Sequence, residues 1–300
     1  MARLAIGMDV GGTKIAAGVI DPDGKILRRV ERPTPTDSQD ELLDSFEEVV
    51  GSLMVDGVGA VGFGLPSTID QRTGRVVGSV NVPLANFDFR DRMADRLTLP
   101  FALDNDGNAA AIAEWKIGAG RGSNHMIMLT LGTGIGSGLI LGGKPYRGAV
   151  GAGAEIGHMV LQYGGEPCSG INCTGHGHFE QLCSGRAADR MAVEILGEGA
   201  TGRELVGAAR AGNAEAHGAV LEIGRRLGAG IGSLVNIFNP EVVVIGGGFS
   251  QARDIFLEPA LETMRAEALP PGRDLVRVVP ALLGPDAGLV GAGFVGFEAV

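Results

Sequence analysis

The sequence predicts an α/β fold with two related halves, and three observations carry that expectation. Residues 4–20 read as a strand, a glycine-rich turn and a returning strand, and residues 126–141 repeat the pattern. Short apolar runs at 58–65 and 241–245 read as buried strands, and helical patterns fall between the strands. The chain's 300 residues exceed one small core and suit two lobes or one large α/β unit.

Taken in order, Leu4, Ile6, Met8 and Val10 alternate with period two up to Gly11-Gly12-Thr13-Lys14, and an apolar run follows from Ile15 to Ile20. Asp21-Pro22-Asp23-Gly24 marks the next turn of what reads as a β-meander. Ser38-Gln39-Asp40-Glu41 has the spacing of a capping box, which predicts a helix to about Val50. The strand at 58–65 ends at Pro66, and a helix is expected from Asp88 to Arg96. A short strand from Pro100 to Leu103 delivers Asp104-Asn105-Asp106 to an alanine-rich helix, Gly107 to Lys116. Past Gly118-Ala119-Gly120, a strand at 126–131 leads into a turn from Gly132 to Gly138 and a returning strand from Leu139 to Leu141. Helices are expected over about 179–196 and 214–236, then a strand at 241–245 ending in Gly246-Gly247-Gly248, and a last helix capped by Asp286.

Composition excludes several classes of function. The net charge of −10 argues against a partner made of nucleic acid. The apolar N-terminal stretch is short and interrupted by Asp9, so no signal peptide is expected, and no apolar run reaches the roughly 18 residues of a membrane span. Cys168, Cys173 and Cys183, mixed with histidines, look like a metal cluster in a reducing, cytoplasmic setting rather than a disulfide framework. The 51 glycines cluster after apolar runs, where close backbone approach calls for them.

The glycine turns point to phosphate. At Gly11, Gly12 and Thr13, successive N–H groups could form an anion nest, with Thr13 adding a hydroxyl, Lys14 a charge and Asp9 a carboxylate for hydrated Mg²⁺. Read as structure alone, the same segment is a β-hairpin. Gly132, Thr133 and Gly134 form a second such turn, with neither Walker A spacing nor a strand–GxGxxG–helix unit. Gly247 and Gly248 would suit a flat nucleoside against bare backbone, or else close helix–strand packing. Asp106, at a strand–helix junction, reads either as an N-cap or as the base that takes a proton from an attacking hydroxyl, with Asn105 orienting a neighbouring hydroxyl; the roles are not exclusive.

Asp9-Val-Gly-Gly-Thr-Lys14, Asn105-Asp106, Leu131-Gly-Thr-Gly-Ile-Gly-Ser-Gly138, Glu155-Ile-Gly-His158 and Gly246-Gly247-Gly248 occur in the order seen in the ROK family of repressors, open-reading-frame proteins and sugar kinases, which this sequence resembles over essentially its whole length. The resemblance is to bacterial kinases of the glucokinase type. It implies a two-lobed, actin-like (ribonuclease H-like duplicated) ATPase fold with ATP and sugar in a central cleft. The implied lobes are 1–117, closed by a C-terminal helix at about 286–300, and 118–285, carrying a zinc loop and a nucleotide-binding turn. It makes Asp106 the catalytic base and puts Asn105, Glu155, His158 and Glu180 on the sugar hydroxyls. The implied reaction is ATP plus D-glucose giving ADP and glucose 6-phosphate, and the implied state a homodimer or homotetramer.

Family kinases carry a structural Zn²⁺ on one histidine and three cysteines, and here the pattern departs. Cys168 is displaced by an insertion and His178 replaces the third cysteine, leaving His158, Cys168, Cys173 and His178 as a Cys₂His₂ set, with His176 a rival ligand. Cys183 reads as a packed thiol, Trp115 as core, His125 as a loop residue and His217 as a helix-surface residue. Pro66 to Asp70 occupies the place of a sugar-side loop, but Ser67 and Thr68 differ from the family pattern, which leaves the preferred hexose open. The alternatives are N-acetylmannosamine, N-acetylglucosamine, mannose or fructose as acceptor, polyphosphate as donor, or a sugar-responsive repressor. The repressor would need a DNA-binding helix-turn-helix ahead of a first strand that begins at about residue 4.

Overall fold

The computed structural model describes residues 4–79, 81–168 and 173–300. Its contacts divide the chain into one unit of Met1–Gly122, Gly138–Ala154 and Leu282–Val300, and another of Ser123–Ser137 and Glu155–Ala281.

In order, the first elements are β1 (Leu4–Val10), β2 (Lys14–Ile20), β3 (Ile26–Pro33), α1 (Gln39–Leu53), β4 (Val58–Leu65), β5 (Ser67–Asp70), β6 (Arg75–Ser79), α2 (Phe89–Ala94), β7 (Phe101–Asn105) and α3 (Asp106–Lys116). The sheet order is β3-β2-β1-β4-β7, antiparallel from β3 to β1 and parallel from β1 to β7. Ser38 starts α1 by accepting the Glu41 N–H, and the helix buries Leu42, Leu43, Phe46, Val49, Val50 and Leu53 at helical spacing. Phe46, Phe63 and Phe89 pack with ring centroids 5.2–6.2 Å apart beneath it.

β8 (Met126–Leu131), β9 (Ile135–Leu141) and β10 (Lys144–Pro145) come next. After them run α4 (Phe179–Cys183), α5 (Gly185–Leu196), α6 (Gly202–Arg210), α7 (Ala214–Phe238), β11 (Val242–Gly246), α8 (Arg253–Glu267), α9 (Gly272–Leu275), β12 (Arg277–Pro280) and α10 (Ala287–Phe297). The second sheet runs β10-β9-β8-β11-β12, with β8, β11 and β12 parallel. The two sheets therefore share one connectivity, a three-strand meander followed by two parallel strands, which is the duplication the sequence suggested.

Glycine makes the face that α10 covers. A Cβ on Gly62 of β4 would overlap the carbonyl oxygen of Ala292, and one on Gly291 the carbonyl of Ala109 in α3. Backbone meets backbone there, so Gly62→Ala is expected to cost about 3 kcal/mol, read as a lower urea midpoint at unchanged m. A buried carboxylate sits nearby. Glu114 of α3 is fully buried and accepts the N–H groups of Ala119 (2.8 Å) and Leu283 (2.7 Å).

Several expectations need correction. The helix expected over 179–196 is two, because at Ser184 the backbone is extended and Gly185 and Arg186 donate their N–H groups to the carbonyls of Gly132 and Thr133. β9 begins inside the expected glycine turn. The β5–β6 hairpin and α6, which has a full Thr201–Glu204 capping box, were not expected. Asp286 stands at the N-cap of α10 without capping it; its carboxylate pairs with Arg29. Trp115 is half-buried in the last turn of α3, with the Lys116 ammonium 4.4 Å from its ring centroid, rather than core.

Candidate active site

The first turn is a tight hairpin between β1 and β2. Gly11 N–H donates to the Lys14 carbonyl (2.9 Å), and the Thr34 hydroxyl donates to the Gly11 carbonyl (2.6 Å). Thr13 and Lys14 are exposed, and the Lys14 ammonium pairs with Glu31 at 3.1 Å. Asp9 lies just inside, where burial pushes its carboxyl up to about 6 while the nearby Lys14 and Arg29 charges pull it down. The folded state thus favours the protonated acid. Its contribution to stability is full below the unfolded value near 3.8 and is lost as pH rises through about 6. A tenfold change in proton affinity is worth about 1.4 kcal/mol, so Asp9→Asn is expected to stabilise the ligand-free protein by roughly 3 kcal/mol at pH 7.5 and to add nothing below pH 4. Equal gains at both pH values in urea unfolding would contradict this.

At the end of β7 the cap is Asn105, not Asp106. Asn105 Oδ1 accepts the N–H groups of Gly107 (2.8 Å) and Asn108 (3.3 Å), and its Nδ2 donates to the Ser67 carbonyl (3.3 Å). Asp106 is thereby the first residue of α3, half-buried, with Oδ1 accepting the Gly107 N–H at 2.8 Å. The sequence places an Asp and an Asn side by side at this junction, and either can cap; the extended backbone falls at Asn105 and decides it.

Three of the expected sugar residues gather in the second unit. Glu155 precedes a 3₁₀ turn, Ile156–His158, that is fixed by the Ser137 hydroxyl accepting the Ile156 N–H (3.1 Å). Burial lifts the Glu155 carboxyl above its ordinary range, with His158 pulling it down and Glu180 pushing it up. Glu180, on α4, accepts the Ile135 N–H through Oε2 at 3.4 Å and closes off the side of Gly134. The turn at Gly132 and Thr133 is stapled through its carbonyls to the start of α5. Gly247 has φ of +86° and its Cα lies against the Leu131 backbone, so packing alone demands glycine there. Gly248 is exposed, with open space where a side chain would stand.

His158, Cys168, Cys173 and His178 each offer a donor atom, all within 4.8 Å of one another. The two Nδ1 atoms are 3.2 Å apart, and Cys168 Sγ–His158 Nδ1 and Cys173 Sγ–His178 Nδ1 are both 3.8 Å. Tetrahedral Zn²⁺ asks for edges of roughly 3.3 Å between nitrogens and roughly 3.6 Å between nitrogen and sulfur, so the donor set fits. Burial and the neighbouring His158 hold the His178 imidazole below its usual value, which keeps it neutral as a ligand must be, although Glu180 opposes them. Gly175 is bare because a Cβ would crowd the His178 ring. His176 is exposed and outside the cluster. Cys183 is buried, with its thiol pushed well up by burial and donating to the Phe179 carbonyl (3.2 Å), an inert packed group. His217 lies exposed on α7, and His125 accepts the Glu241 N–H through its carbonyl at the entry to β8.

Sequence reasoning missed two members of this architecture. Asp104 was named only as a neighbour of Asn105, and Arg147 had no local signal because its partner is distant in the chain.

Known proteins resemble the chain along its whole length. A glucokinase of Streptomyces coelicolor is 35% identical over 308 residues, covering 96% of each chain. A ROK hexokinase structure from Thermus thermophilus superposes with a TM-score of 0.88 at 36% identity, over 98% of both chains. A ROK glucokinase from Streptomyces griseus, in complex with glucose and AMPPNP, gives a TM-score of 0.82 at 35% identity, over 98% of this chain and 99% of that one. The fold is accordingly the actin-like α/β fold of sugar kinases. The ROK family profile matches residues 5–295, and the chain belongs to the ROK family.

Proposed function

We propose that the chain is an ATP-dependent glucokinase that transfers the γ-phosphoryl group of Mg·ATP to the 6-hydroxyl of D-glucose. The observation that carries this reading is the Asn105–Asp106 junction. There the cap falls to Asn105, so Asp106 is left at the helix start, where a carboxylate can orient and deprotonate an incoming hydroxyl. Whole-length similarity at 35% identity to a glucokinase supports the acceptor. Fold alone would not.

In this mechanism Asp106 takes the 6-hydroxyl proton as the oxygen attacks the γ-phosphorus, and the phosphorus–oxygen bond to ADP breaks. The Nδ2 of Asn105, Glu155, His158 and Glu180 hold the remaining hydroxyls. The backbone N–H groups around Gly12, Thr13, Thr133 and Gly134 steady the phosphates, while Gly11 and Gly132 shape the two turns through N–H groups bonded within them, Lys14 adds charge, and Gly247 and Gly248 take the nucleoside. Mg²⁺ bound with ATP supplies charge neutralisation, and Asp9 would meet it through water. His158, Cys168, Cys173 and His178 would hold a structural Zn²⁺. With Nδ1 facing that cluster, His158 keeps Nε2–H to donate to a sugar hydroxyl, which reconciles its two roles.

A coupled ADP-release assay with Mg·ATP against glucose, mannose, fructose, N-acetylglucosamine and N-acetylmannosamine tests the proposal, with polyphosphate as a second donor. Glucose is expected to give the highest kcat/KM. A higher value for another sugar would reassign the acceptor, and ADP formation with none of them would end the kinase reading. Among the described residues no helix is long and apolar enough to cross a membrane. We assign the protein to the cytoplasm on the cysteine–histidine cluster, whose thiols must stay reduced to serve as metal ligands, and expect a homodimer or homotetramer.

A further inference from the structure

The mechanism leaves one fully buried carboxylate, in the strand that leads into the base, without a role. Asp104 is the residue before the cap on β7, with no solvent exposure. Its Oδ1 accepts the backbone N–H of Asn105 (2.8 Å) and the Nδ2 of Asn108 (2.9 Å), and its Oδ2 accepts Arg147 Nε at 2.6 Å. Arg147 also donates through Nη2 to Glu298 (2.8 Å). The loop that carries Arg147 is tied to the same strand end by a second route. Gln71 N–H donates to the Val150 carbonyl (2.8 Å), while the Gln71 side chain donates to the Leu103 carbonyl (2.8 Å). Within the loop, Gly153 N–H returns to the Arg147 carbonyl (2.9 Å).

We infer that Asp104 and Arg147 are positioning residues for the phosphoryl transfer, a buried ion pair that sets the β7–α3 junction and so the placement of the Asp106 carboxylate. Asp104 grips that junction on both sides of Asp106, through the Asn105 backbone before it and the Asn108 side chain after it. It can hold both as a carboxylate only while the guanidinium compensates its charge. The guanidinium reaches Asp104 through one N–H and Glu298 through another, a two-ended bridge that a lysine ammonium cannot reproduce at the same separation. Neither residue needs to touch a substrate for this. A base displaced by about an ångström costs up to roughly 100-fold in turnover, because proximity and alignment are most of what the protein supplies to this reaction.

The inference rests on Asp106 as the base, and the test separates the two. In the intact protein, kcat, KM for ATP, KM for glucose and Tm are measured for Arg147→Lys, for the charge-free pair Asp104→Leu with Arg147→Met, which leaves no acceptor for Asn105 N–H and Asn108 Nδ2, and for Asp106→Asn as control. Arg147→Lys is expected to lose about 10–100-fold in kcat while KM for ATP stays within about threefold. The double variant is expected to lose kcat to a similar degree even where its Tm matches wild type, since neutral partners restore packing but not the bonds that aim the junction. It gives the answer if the lysine variant fails to fold. Turnover within twofold of wild type in a folded Arg147 variant, with Asp106→Asn inactive, overturns the positioning role and leaves the base in place. Full turnover in Asp106→Asn removes the base, and the positioning role falls with it.

Discussion

Asp106→Asn is expected to fold like the wild type and to lose at least about 100-fold in kcat, with both KM values nearly unchanged. Folding survives because the bond Asp106 makes to the Gly107 N–H uses one oxygen, which an asparagine Oδ1 supplies equally well, and because the helix is capped by Asn105. What the amide cannot do is accept the proton of the attacking hydroxyl. A positioned general base contributes about 10²–10⁴-fold, and phosphoryl transfer offers the protein few other handles on the nucleophile. Turnover measured at saturating ATP and glucose, alongside Tm, decides the point. A variant that keeps most of its kcat would move the search for the base elsewhere.

The second large effect concerns the cysteine–histidine cluster. Protein purified without a histidine tag is expected to carry one zinc per chain, and His178→Ala to lose it. Because His158 contributes one ring nitrogen to the cluster and is proposed to use the other on the sugar, losing the metal frees the ring to rotate. Cys168 Sγ also lies 3.6 Å from Glu180 Oε1, so the loop and a second sugar residue loosen together. Disturbing the partners of a metal site typically costs 10–100-fold, and here the loss should fall on glucose: KM for glucose rises at least about tenfold while KM for ATP holds. A strong chelator should reproduce that shift and lower Tm. Zinc well below one per chain, with no change in Tm on chelation, would leave the four side chains as a metal-free cluster.

How much of this could be read from the sequence depends on how local the cause was. The β1–β2 hairpin, α1 with its Ser38 cap, and the strand that presents Asn105 and Asp106 are set by residues close in the chain, and each was legible. So was the Cys₂His₂ set, since His178 could be placed by counting back from Glu180. The break at Ser184 was not, because the carbonyls that draw off Gly185 and Arg186 belong to Gly132 and Thr133, far upstream. Arg147 was illegible for the same reason: nothing near it forecasts Asp104. The choice between Asn105 and Asp106 as cap turned on backbone angles that two adjacent capping residues leave open. Asp286 looked like a cap by composition, but Arg29 offered its carboxylate a charged partner instead.

The bare backbone face under α10 bears on how the protein is made. Synthesis delivers β1, β4 and β7 early, yet the helix that covers Gly7, Gly62 and Ala109 belongs to residues 282–300, which leave the ribosome after the whole of the second unit. Domains usually fold in the order they emerge. Here the order is reversed: Ser123–Ser137 and Glu155–Ala281 can complete the core of the second unit while the first sheet still waits for its cover. An apolar sheet face is then open during most of translation, and it closes only when the last helix of the chain has emerged.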